Sequence, residues 1–304
     1  MPRGLDSLHY EVADVTYEMI EENTAYVNFV LVIKNNEGEK LFDVFQTYSI
    51  YSSGDIIIKN DLKVSDKIKS LAKVGMQMKI PGDMDNVTYF GKGDFGTYPD
   101  RNSAGTTKIY STKVADMWHN YSKPQENGNR SNLRWATIAN NKGNGLFIQS
   151  DESYNLSTYN FDDVKIYNAQ HPSELSAEKY ITMNIDHKIA GLGTATCGPG
   201  ILEKYLLKEK LYSFKIRIKP ANLRRQLPSK LFTQELPEYE TNYLPAPTIE
   251  AESEYFNKPI FVTLNVDHED IDIRYTVDGS IPSENDSLYT EPFLNDKSTI
   301  VMLA

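Results

Sequence analysis

The 304-residue sequence has few of the side chains that most often bind metals or form disulfides. It contains one cysteine, so no disulfide can form within the chain, and only five histidines. No two histidines have the spacing of a metal site, and neither a Cys-x-x-Cys nor a Gly-x-Ser-x-Gly motif occurs. These absences argue against a zinc site, a disulfide scaffold and an α/β-type serine hydrolase. We therefore expect no cofactor in this chain.

Long hydrophobic runs and an excess of positive charge are also missing. No apolar stretch reaches the roughly 18 residues of a membrane span, and Met1-Pro2-Arg3-Gly4 is not a signal peptide. The net charge of −10 makes nucleic acid and anionic membranes poor partners. We therefore expect neither a membrane span nor a nucleic-acid partner. A signal sequence could precede the chain, which leaves the compartment open, with a periplasmic or secreted location favoured over a cytoplasmic one.

Most of the sequence shows the residue patterns of β-strands. Segments rich in Val, Ile, Phe and Tyr are separated by short polar turns, which predicts antiparallel meanders. No segment shows helical periodicity over ten or more residues, so the predicted class is all-β. The predicted strands of the larger part are Thr24–Asn35, Leu41–Tyr51, Asp55–Val64, Leu71–Ile80, Leu133–Ala139, Gly145–Ser150, Asn155–Asn160, Lys179–Asp186, Leu202–Leu207 and Leu211–Ile218.

Composition divides the chain into two domains and a linker. Five of the 14 prolines fall between Pro220 and Pro247, so residues 221–247 are predicted to be a proline-rich linker. Residues 1–220 then form the larger domain. Residues 248–304 carry 12 Asp and Glu against three Lys and Arg, and their strand patterns predict a small acidic domain.

The most informative stretch runs from Pro124 to Ile138 and begins as a polar turn around Gly128. Glu126, Asn127 and Arg130 offer a carboxylate, an amide and a planar fork of donors, which together suit a polyhydroxylated ligand. The alternative is a plain hairpin turn at Asn127-Gly128, with Arg130 paired to Glu126. Local chemistry alone leaves both interpretations open.

Four ordered segments carry a resemblance to one family. These segments are Tyr89-Phe90-Gly91-Lys92-Gly93 with Tyr98-Pro99-Asp100-Arg101; Pro124-Gln125-Glu126-Asn127-Gly128-Asn129-Arg130 with Arg134-Trp135; Asn184-Ile185-Asp186-His187 with Gly191-Leu192-Gly193 and Cys197-Gly198-Pro199; and Tyr212-Ser213-Phe214-Lys215-Ile216-Arg217. Together they resemble the C-terminal domain of glycoside hydrolase family 2 β-galactosidases, which forms the small chain of two-chain members. The resemblance covers residues 4–220. The start of the chain is similar to a point inside that domain, so we expect a piece of a larger enzyme.

A second resemblance covers the acidic C-terminal part. Tyr275-Thr276-Val277-Asp278-Gly279-Ser280-Ile281-Pro282, followed by Leu288-Tyr289-Thr290-Glu291-Pro292-Phe293, is similar to the chitobiase/β-hexosaminidase C-terminal repeat. That repeat implies a small immunoglobulin-like β-sandwich. A spacer role without a ligand is the expectation for it, because a fold alone does not give a function.

The family resemblance implies the fold and the partners. It implies a large antiparallel two-sheet sandwich shared with galactose mutarotases. In that family both catalytic glutamates lie on a (β/α)₈ barrel, and no alternating strand–helix pattern occurs in these 304 residues. The expected function is therefore the non-catalytic C-terminal part of a β-galactosidase-like enzyme, with a catalytic barrel, a galactoside and a possible second copy as partners. The alternative is a free-standing carbohydrate-binding or mutarotase-like domain.

Seven residues are the candidates for the sugar groove or the barrel interface. No catalytic residue is predicted, because Glu126 is a single carboxylate beside an arginine. Many family members carry a sugar-stacking tryptophan where this sequence has Cys197, and a thiol cannot form such a platform. A mutarotase would need an acid and a base across the sugar, and only His119 and Glu126, seven positions apart, suggest one. The candidates are Tyr98, Arg101, His119, Glu126, Asn127, Arg130 and Cys197.

Overall fold

The computed structural model describes residues 5, 7–20, 24–194, 197–236, 248–251, 253, 256, 258–266, 272–280, 282–283 and 285–303. The chain divides into two compact units, Met1–Tyr239 and Glu240–Ala304. Strands dominate both units, which confirms the predicted all-β class. The larger unit contains β1 (Leu8–Ile20), β2 (Thr24–Asn35), β3 (Lys40–Tyr51), β4 (Ile56–Val64), β5 (Lys73–Pro81), β6 (Asn86–Lys92), β7 (Thr107–Lys113), β8 (Arg130–Ala139), β9 (Asn144–Tyr159), β10 (Tyr180–Ile189) and β11 (Leu211–Asn222).

These eleven strands form one antiparallel sheet with a branch at β9. The main path runs β1-β2-β3-β4-β11-β9-β8-β6-β7, and β10 joins β9 to β5. The first half of β9 pairs with β11, through Ile148↔Ile218 for example, and its second half pairs with β10, through Leu156↔Ile185. Because one long strand serves both partners, β9 connects two parts of the sheet.

The two parts lie face to face around an apolar core. The ring of His187 in β10 stacks on Phe214 in β11, with centroids 4.8 Å apart and planes 7° apart. The amide of Asn60 in β4 donates to the sulfur of Met76 in β5 at 3.5 Å. Strands that are not paired with each other are thus in side-chain contact, so the predicted antiparallel sandwich is confirmed.

The apolar inner face of the sheet continues past the core onto β1. Tyr10, Val12, Val15, Tyr17 and Met19 all lie opposite odd-numbered residues of β2, and all are exposed. A β-bulge between Val12 and Asp14 keeps the five side chains on one face. This apolar face of β1 is uncovered among the described residues.

The segment after β11 is packed on the sheet rather than extended away from it. A short helix, α3 (Pro228–Phe232), buries Leu231 in a cluster with Trp135, Phe147 and Ala221. The Arg217 guanidinium donates to the carbonyl oxygens of Leu231 and Gln234, each at 3.1 Å. The first part of the predicted linker therefore contacts the larger unit, and its residues 237–247 lie outside the described residues.

The smaller unit contains two three-stranded sheets. Its strands are β12 (Thr248–Ala251), β13 (Ile260–Asn265), β14 (Arg274–Thr276), β15 (Ser287–Leu288), β16 (Phe293–Asn295) and β17 (Met302–Leu303). The sheet orders are β12-β13-β16 and β15-β14-β17. Val262, Leu264 and Ile273 form a small buried core, and the predicted small β-sandwich is confirmed.

Two predictions on individual strands differ from the structure. Residues Leu202–Leu207 form a 3-10 turn (Glu203–Tyr205) with one isolated bridge from Leu207 to Leu71, not a strand. The amides of Tyr205 and Leu206 donate within this segment, to the Leu202 and Glu203 carbonyls, instead of to a neighbouring strand. The predicted strands Gly145–Ser150 and Asn155–Asn160 are the two halves of β9. The remaining helices among the described residues are α1 (Val114–Met117), α2 (Asp163–Asn168) and a 3-10 turn, Pro172–Glu174. None of these helices is long and apolar enough to cross a membrane.

Candidate functional site

The two sequence motifs that lie before β7 and before β8 are joined by hydrogen bonds. Tyr98 to Arg101 form a tight turn, in which the Arg101 amide donates to the Tyr98 carbonyl at 2.8 Å. The Thr97 amide donates to the Asn129 carbonyl at 2.8 Å, and the Asn129 side chain donates to the Thr97 carbonyl at 2.7 Å. The Ser131 amide donates to the Thr97 hydroxyl at 2.9 Å. The two motifs therefore form one rigid corner.

Arg130 is a structural residue of this corner. Its side chain is 2 % exposed and donates to the Tyr89 hydroxyl at 3.0 Å, the Gly128 carbonyl at 2.8 Å and the Asp94 carbonyl at 3.3 Å. Glu126 is paired with Lys73 instead, with 3.4 Å between Nζ and Oε1. The predicted alternative, an Arg130–Glu126 pair, is thus wrong, because the guanidinium points inward toward main-chain acceptors.

Asn127 and Gly128 fix the path of the loop from Met117 to Gln125. The Asn127 side chain accepts from the His119 amide at 2.8 Å and donates to the His119 carbonyl at 2.9 Å. Gly128 has φ +80°, and a Cβ there would lie 2.2 Å from the Met117 carbonyl oxygen. Glycine is required at this position for both reasons. The buried Asn127 supports the main chain, while the His119 ring stays exposed beside Tyr121.

Asp100 holds the glycine-rich turn that follows β10. Its carboxylate accepts from the amides of Leu192 at 3.1 Å and Gly193 at 2.8 Å. A Cβ on Gly191 would lie 2.6 Å from an Asp100 oxygen, so only glycine lets the carboxylate approach so closely. Cys197, which follows this turn, is exposed. The Tyr98–Arg101 turn therefore positions the loop that bears Cys197.

A cavity of about 270 Å³ lies between this loop and β5. Most of its wall is apolar, and its four polar side chains are those of Ser70, Lys73, Tyr98 and Glu126. Tyr98 is 4 % exposed, and its hydroxyl has no hydrogen-bond partner among the described residues. The wall consists of Ser70, Leu71, Ala72, Lys73, Tyr98, Glu126, Ile189, Ala190, Gly191, Leu192, Ile201 and Leu206.

Lys73 connects the cavity to a group of three carboxylates. Burial lowers the pKa of Lys73, but the negative charges of Asp186, Glu126 and Asp163 outweigh it, so the pKa is raised and the ammonium stays protonated. Asp163 accepts from the Tyr159 hydroxyl at 2.7 Å. One ammonium among three carboxylates leaves the site acidic.

Asp186 is the most unusual of these carboxylates. It is 2 % exposed, and its Oδ2 has no hydrogen-bond partner among the described residues. Burial raises the pKa of Asp186 to about 7, against the opposing effect of Lys73. A register shift in β10 between Asp186 and Lys188 faces Gly75 and Val74, and a Cβ on Gly75 would lie 2.6 Å from an Asp186 oxygen. The bulge and the glycine together make room for this side chain.

The structure brings some of the predicted site residues together and separates others. Tyr98 and Glu126 line the cavity. Arg101, His119 and Cys197 are exposed, whereas Asn127 and Arg130 are buried in the corner. Their roles in ligand binding stay predictions.

Three residues of the site were not among the sequence candidates: Lys73, Asp100 and Asp186. Asp100 and Asp186 lie inside the motifs that were recognised, so their position was a usable signal. The sequence held no comparable signal for Lys73, because its strand, β5, pairs with β10, which lies more than 100 positions away along the chain.

The site has the chemistry of a binding site for hydroxyl groups. It offers a charged donor (Lys73), a phenol (Tyr98) and one carboxylate acceptor (Glu126) beside apolar residues. Among the described residues, no group of three His, Cys, Asp or Glu side chains could hold a metal ion.

Family models match both units of the chain. Residues 4–218 match the model described as "Beta galactosidase small chain". Residues 251–304 match the model described as "Chitobiase/beta-hexosaminidase C-terminal domain".

Several curated β-galactosidases are similar to this chain. The Photobacterium profundum protein is 27 % identical over 220 residues, covering 71 % of this chain and 20 % of its own length. The Priestia megaterium protein is 26 % identical over 168 residues, covering 55 % of this chain and 16 % of its own length. The Pseudoalteromonas haloplanktis protein is 30 % identical over 175 residues, covering 56 % of this chain and 16 % of its own length. The chain thus spans at most about a fifth of the length of these relatives, and the matched segments are parts of longer proteins.

Two solved structures align with most of the chain at low identity. The galactose 1-epimerase of Lactobacillus acidophilus gives a TM-score of 0.39 at 11 % identity, covering 68 % of this chain and 66 % of the epimerase. The aldose epimerase homologue of C. elegans gives a TM-score of 0.36 at 10 % identity, covering 68 % of both chains.

Proposed function

Because this chain belongs to the β-galactosidase small-chain family through residues 4–218, we propose that it is the non-catalytic part of a β-galactosidase-like glycoside hydrolase. In this proposal a separate catalytic barrel carries the two carboxylates that cleave a terminal β-galactoside. The chain supplies one wall of the sugar site.

The observation that supports this proposal is the rigid corner between the two motifs. Most of its polar groups stabilise the fold, since the side chains of Arg130, Asn127 and Asn129 form hydrogen bonds with main-chain atoms. Its exposed groups, among them Arg101, His119 and Cys197, lie on the connecting loops. A corner that is rigid inside and polar outside suits a surface that must meet a partner in one fixed geometry.

The loop after β10 is the part that we propose reaches the galactoside. Asp100 fixes its start through two amide hydrogen bonds, so the exposed residues around Cys197 project from a defined position. Cys197 lacks an aromatic face, so we propose that stacking on the sugar or its leaving group comes from another part of the enzyme.

The test is the activity of the chain by itself against a chromogenic β-galactoside, with anomer exchange of free galactose as a second readout. We expect neither reaction. As a positive arm, the matched segment of the Photobacterium profundum β-galactosidase is deleted and then replaced by residues 1–236 of this chain. We expect the deletion to abolish hydrolysis and the replacement to restore part of it.

Hydrolysis by the chain alone would overturn the proposal, and anomer exchange would overturn it in favour of the mutarotase-like alternative. No described residue other than Asp186 combines burial with a carboxyl pKa near neutrality. An Asp186→Asn variant that abolished anomer exchange would then identify the group responsible.

A further inference from the structure

The cavity beside Lys73 has unused hydrogen-bonding capacity. The Tyr98 hydroxyl is buried at the cavity wall and has no partner among the described residues. The Lys73 ammonium can donate three hydrogen bonds, and the structure shows one long contact of 3.4 Å, to Glu126. Buried polar groups without partners are costly, so a site that keeps them requires an explanation.

The opposite wall of the cavity is apolar. Leu71, Ile189 and Ala190 are buried there, and Ile201 and Leu206 close it from the loop. A ligand that fills this space needs one face of C–H groups and one edge of polar groups. The cavity volume of about 270 Å³ limits the ligand to roughly one small ring.

Charge narrows the ligand class further. Glu126 and Asp163 both interact with the single Lys73 ammonium, and Asp186 adds a third negative charge above its pKa of about 7, so the site carries more negative than positive charge. A carboxylate or phosphate on the ligand would add to this excess. Hydroxyl groups can instead donate to the carboxylates and accept from Lys73 and Tyr98.

Asp186 is outside the cavity wall, interacts electrostatically with Lys73, and has a second buried atom without a partner among the described residues. Its Oδ2 is unpaired within the described part of the chain, and Gly75 and the β10 bulge keep space for its side chain. The Asn155 amide donates to the Asp186 carbonyl at 3.3 Å, and the Asn129 amide donates to the Asn155 side chain at 3.3 Å. This chain of amides links Asp186 to the corner that carries Glu126.

We propose that this cavity is a sugar site of the chain itself, which binds one neutral hexose ring between the apolar wall and Lys73, Tyr98 and Glu126. The inference goes beyond the proposed function, because the binding needs no catalytic barrel. The two proposals can be refuted separately, because the proposed function is tested by turnover and this sugar site is tested by binding of a glycoside to the isolated chain.

The experiment is calorimetric titration of the full 304-residue chain with methyl β-galactoside, methyl β-glucoside and galacturonate. We expect saturable binding of at least one neutral glycoside with a Kd in the millimolar range, since a small, well-hydrated ligand makes few contacts with the protein. We expect galacturonate to bind at least about tenfold more weakly, because its carboxylate meets the acidic side of the site. The absence of binding by every neutral glycoside would overturn the proposal.

Tyr98→Phe is the decisive variant, because it removes a single buried hydroxyl for which the described residues show no hydrogen-bond partner. We expect it to weaken glycoside binding about fivefold to tenfold, the effect of one lost hydrogen bond, without lowering the melting temperature. Tyr17→Phe is the matched control, since Tyr17 is 82 % exposed on β1, and we expect unchanged binding. Equal affinities of Tyr98→Phe and the parent chain would overturn the assignment.

Ile201→Trp tests the apolar wall independently. Ile201 is half-buried at the cavity, so a larger side chain can fill the space without entering the core of the sandwich. We expect a folded chain that no longer binds the glycoside. Undiminished binding by this variant would place the sugar elsewhere on the molecule and overturn the proposal.

Discussion

At the scale of single residues, the corner between the two motifs shows that polar groups suited to a ligand can instead be hydrogen-bonded within the fold. Arg130 has the chemistry of a sugar ligand in the sequence, and in the structure its guanidinium is bonded to the Tyr89 hydroxyl and to main-chain oxygens. A buried guanidinium that satisfies several acceptors at once stabilises the fold by holding segments distant in sequence.

Arg130→Ala should therefore act on stability. We expect a loss of about 3 kcal/mol in the free energy of unfolding, because the buried acceptors lose a charged donor. Urea denaturation measures the loss, with the exposed Arg101→Ala as the control. An Arg130→Ala chain with unchanged stability but no glycoside binding would show that the residue binds ligand after all.

Asp186 should make stability depend on pH. Its pKa of about 7 in the folded chain lies above the ordinary value near 3.8, so the folded state holds a proton that the unfolded state releases between these values. Stability should fall as the pH rises from about 4 to 7, by at most about 4 kcal/mol for a shift of this size. The groups that face Asp186 are Lys73 on β5, Glu126 on the loop and Asp163 on α2.

Asp186→Asn removes this titration, and the difference in unfolding free energy between variant and parent chain measures it. We expect that difference to shift in favour of the variant as the pH rises. A difference that stays constant from pH 4 to pH 8 would mean that the carboxyl titrates normally.

At the scale of elements, β11 and α3 are joined by a buried ion cluster. Arg217 donates to Asp55 with 2.8 Å between Nε and Oδ1, Lys219 pairs with the other oxygen, and Ser53 donates to it at 2.6 Å. Arg217 also holds α3 through the Leu231 carbonyl. Two cations share one carboxylate, so the cluster depends on Asp55.

Asp55→Asn should leave two buried cations without their counter-charge. We expect a loss of at least about 3 kcal/mol in unfolding free energy, and increased protease cleavage in residues 223–236. The exposed Asp66→Asn serves as the control. A variant as stable as the parent chain would contradict the proposed role of the cluster.

The strand β1 bears on self-association, because it is an edge strand of 13 residues with an exposed apolar face. Edge strands of this kind pair or stack with other chains unless they are protected. We expect the isolated chain to self-associate with rising concentration, and a Val15→Lys/Tyr17→Lys double variant to remain monomeric in sedimentation velocity.

Thr16→Lys provides the matched control for β1, since Thr16 lies on the opposite face of the same strand. It should associate like the parent chain. A parent chain that is monomeric at every concentration would contradict this prediction.

At the scale of the whole molecule, the two units have separate cores. The buried apolar clusters of the larger unit contain no residue of the smaller unit among the described residues, and the cluster around Val262 contains none of the larger. Separate cores can fold separately.

A fragment of residues 1–236 should therefore fold without the acidic unit. We expect calorimetry of the full chain to show two transitions, one of which is reproduced by the fragment within about 3 °C. An unfolded fragment, as judged by circular dichroism, would show that the units depend on each other.

The sequence by itself determined the class of the fold, and in places the strand ends. Thr24–Asn35 was predicted with the bounds that the structure shows, because alternating apolar residues between two polar turns leave one register. The family was also readable, because its motifs are local: each depends on a few neighbouring residues, such as Gly128, whose conformation only glycine tolerates.

Only the tertiary structure decided which polar residues line the cavity. Lys73 and Tyr98 line one cavity although they lie 25 positions apart. Asp186 interacts with Lys73 because β10 pairs with β5, and such long-range pairing leaves no local pattern. Arg130 was expected at the groove and lies inside, since a guanidinium satisfies buried main-chain acceptors as well as sugar hydroxyls. The residue type fixes what a side chain can bond, and the packing around it decides which partner it meets.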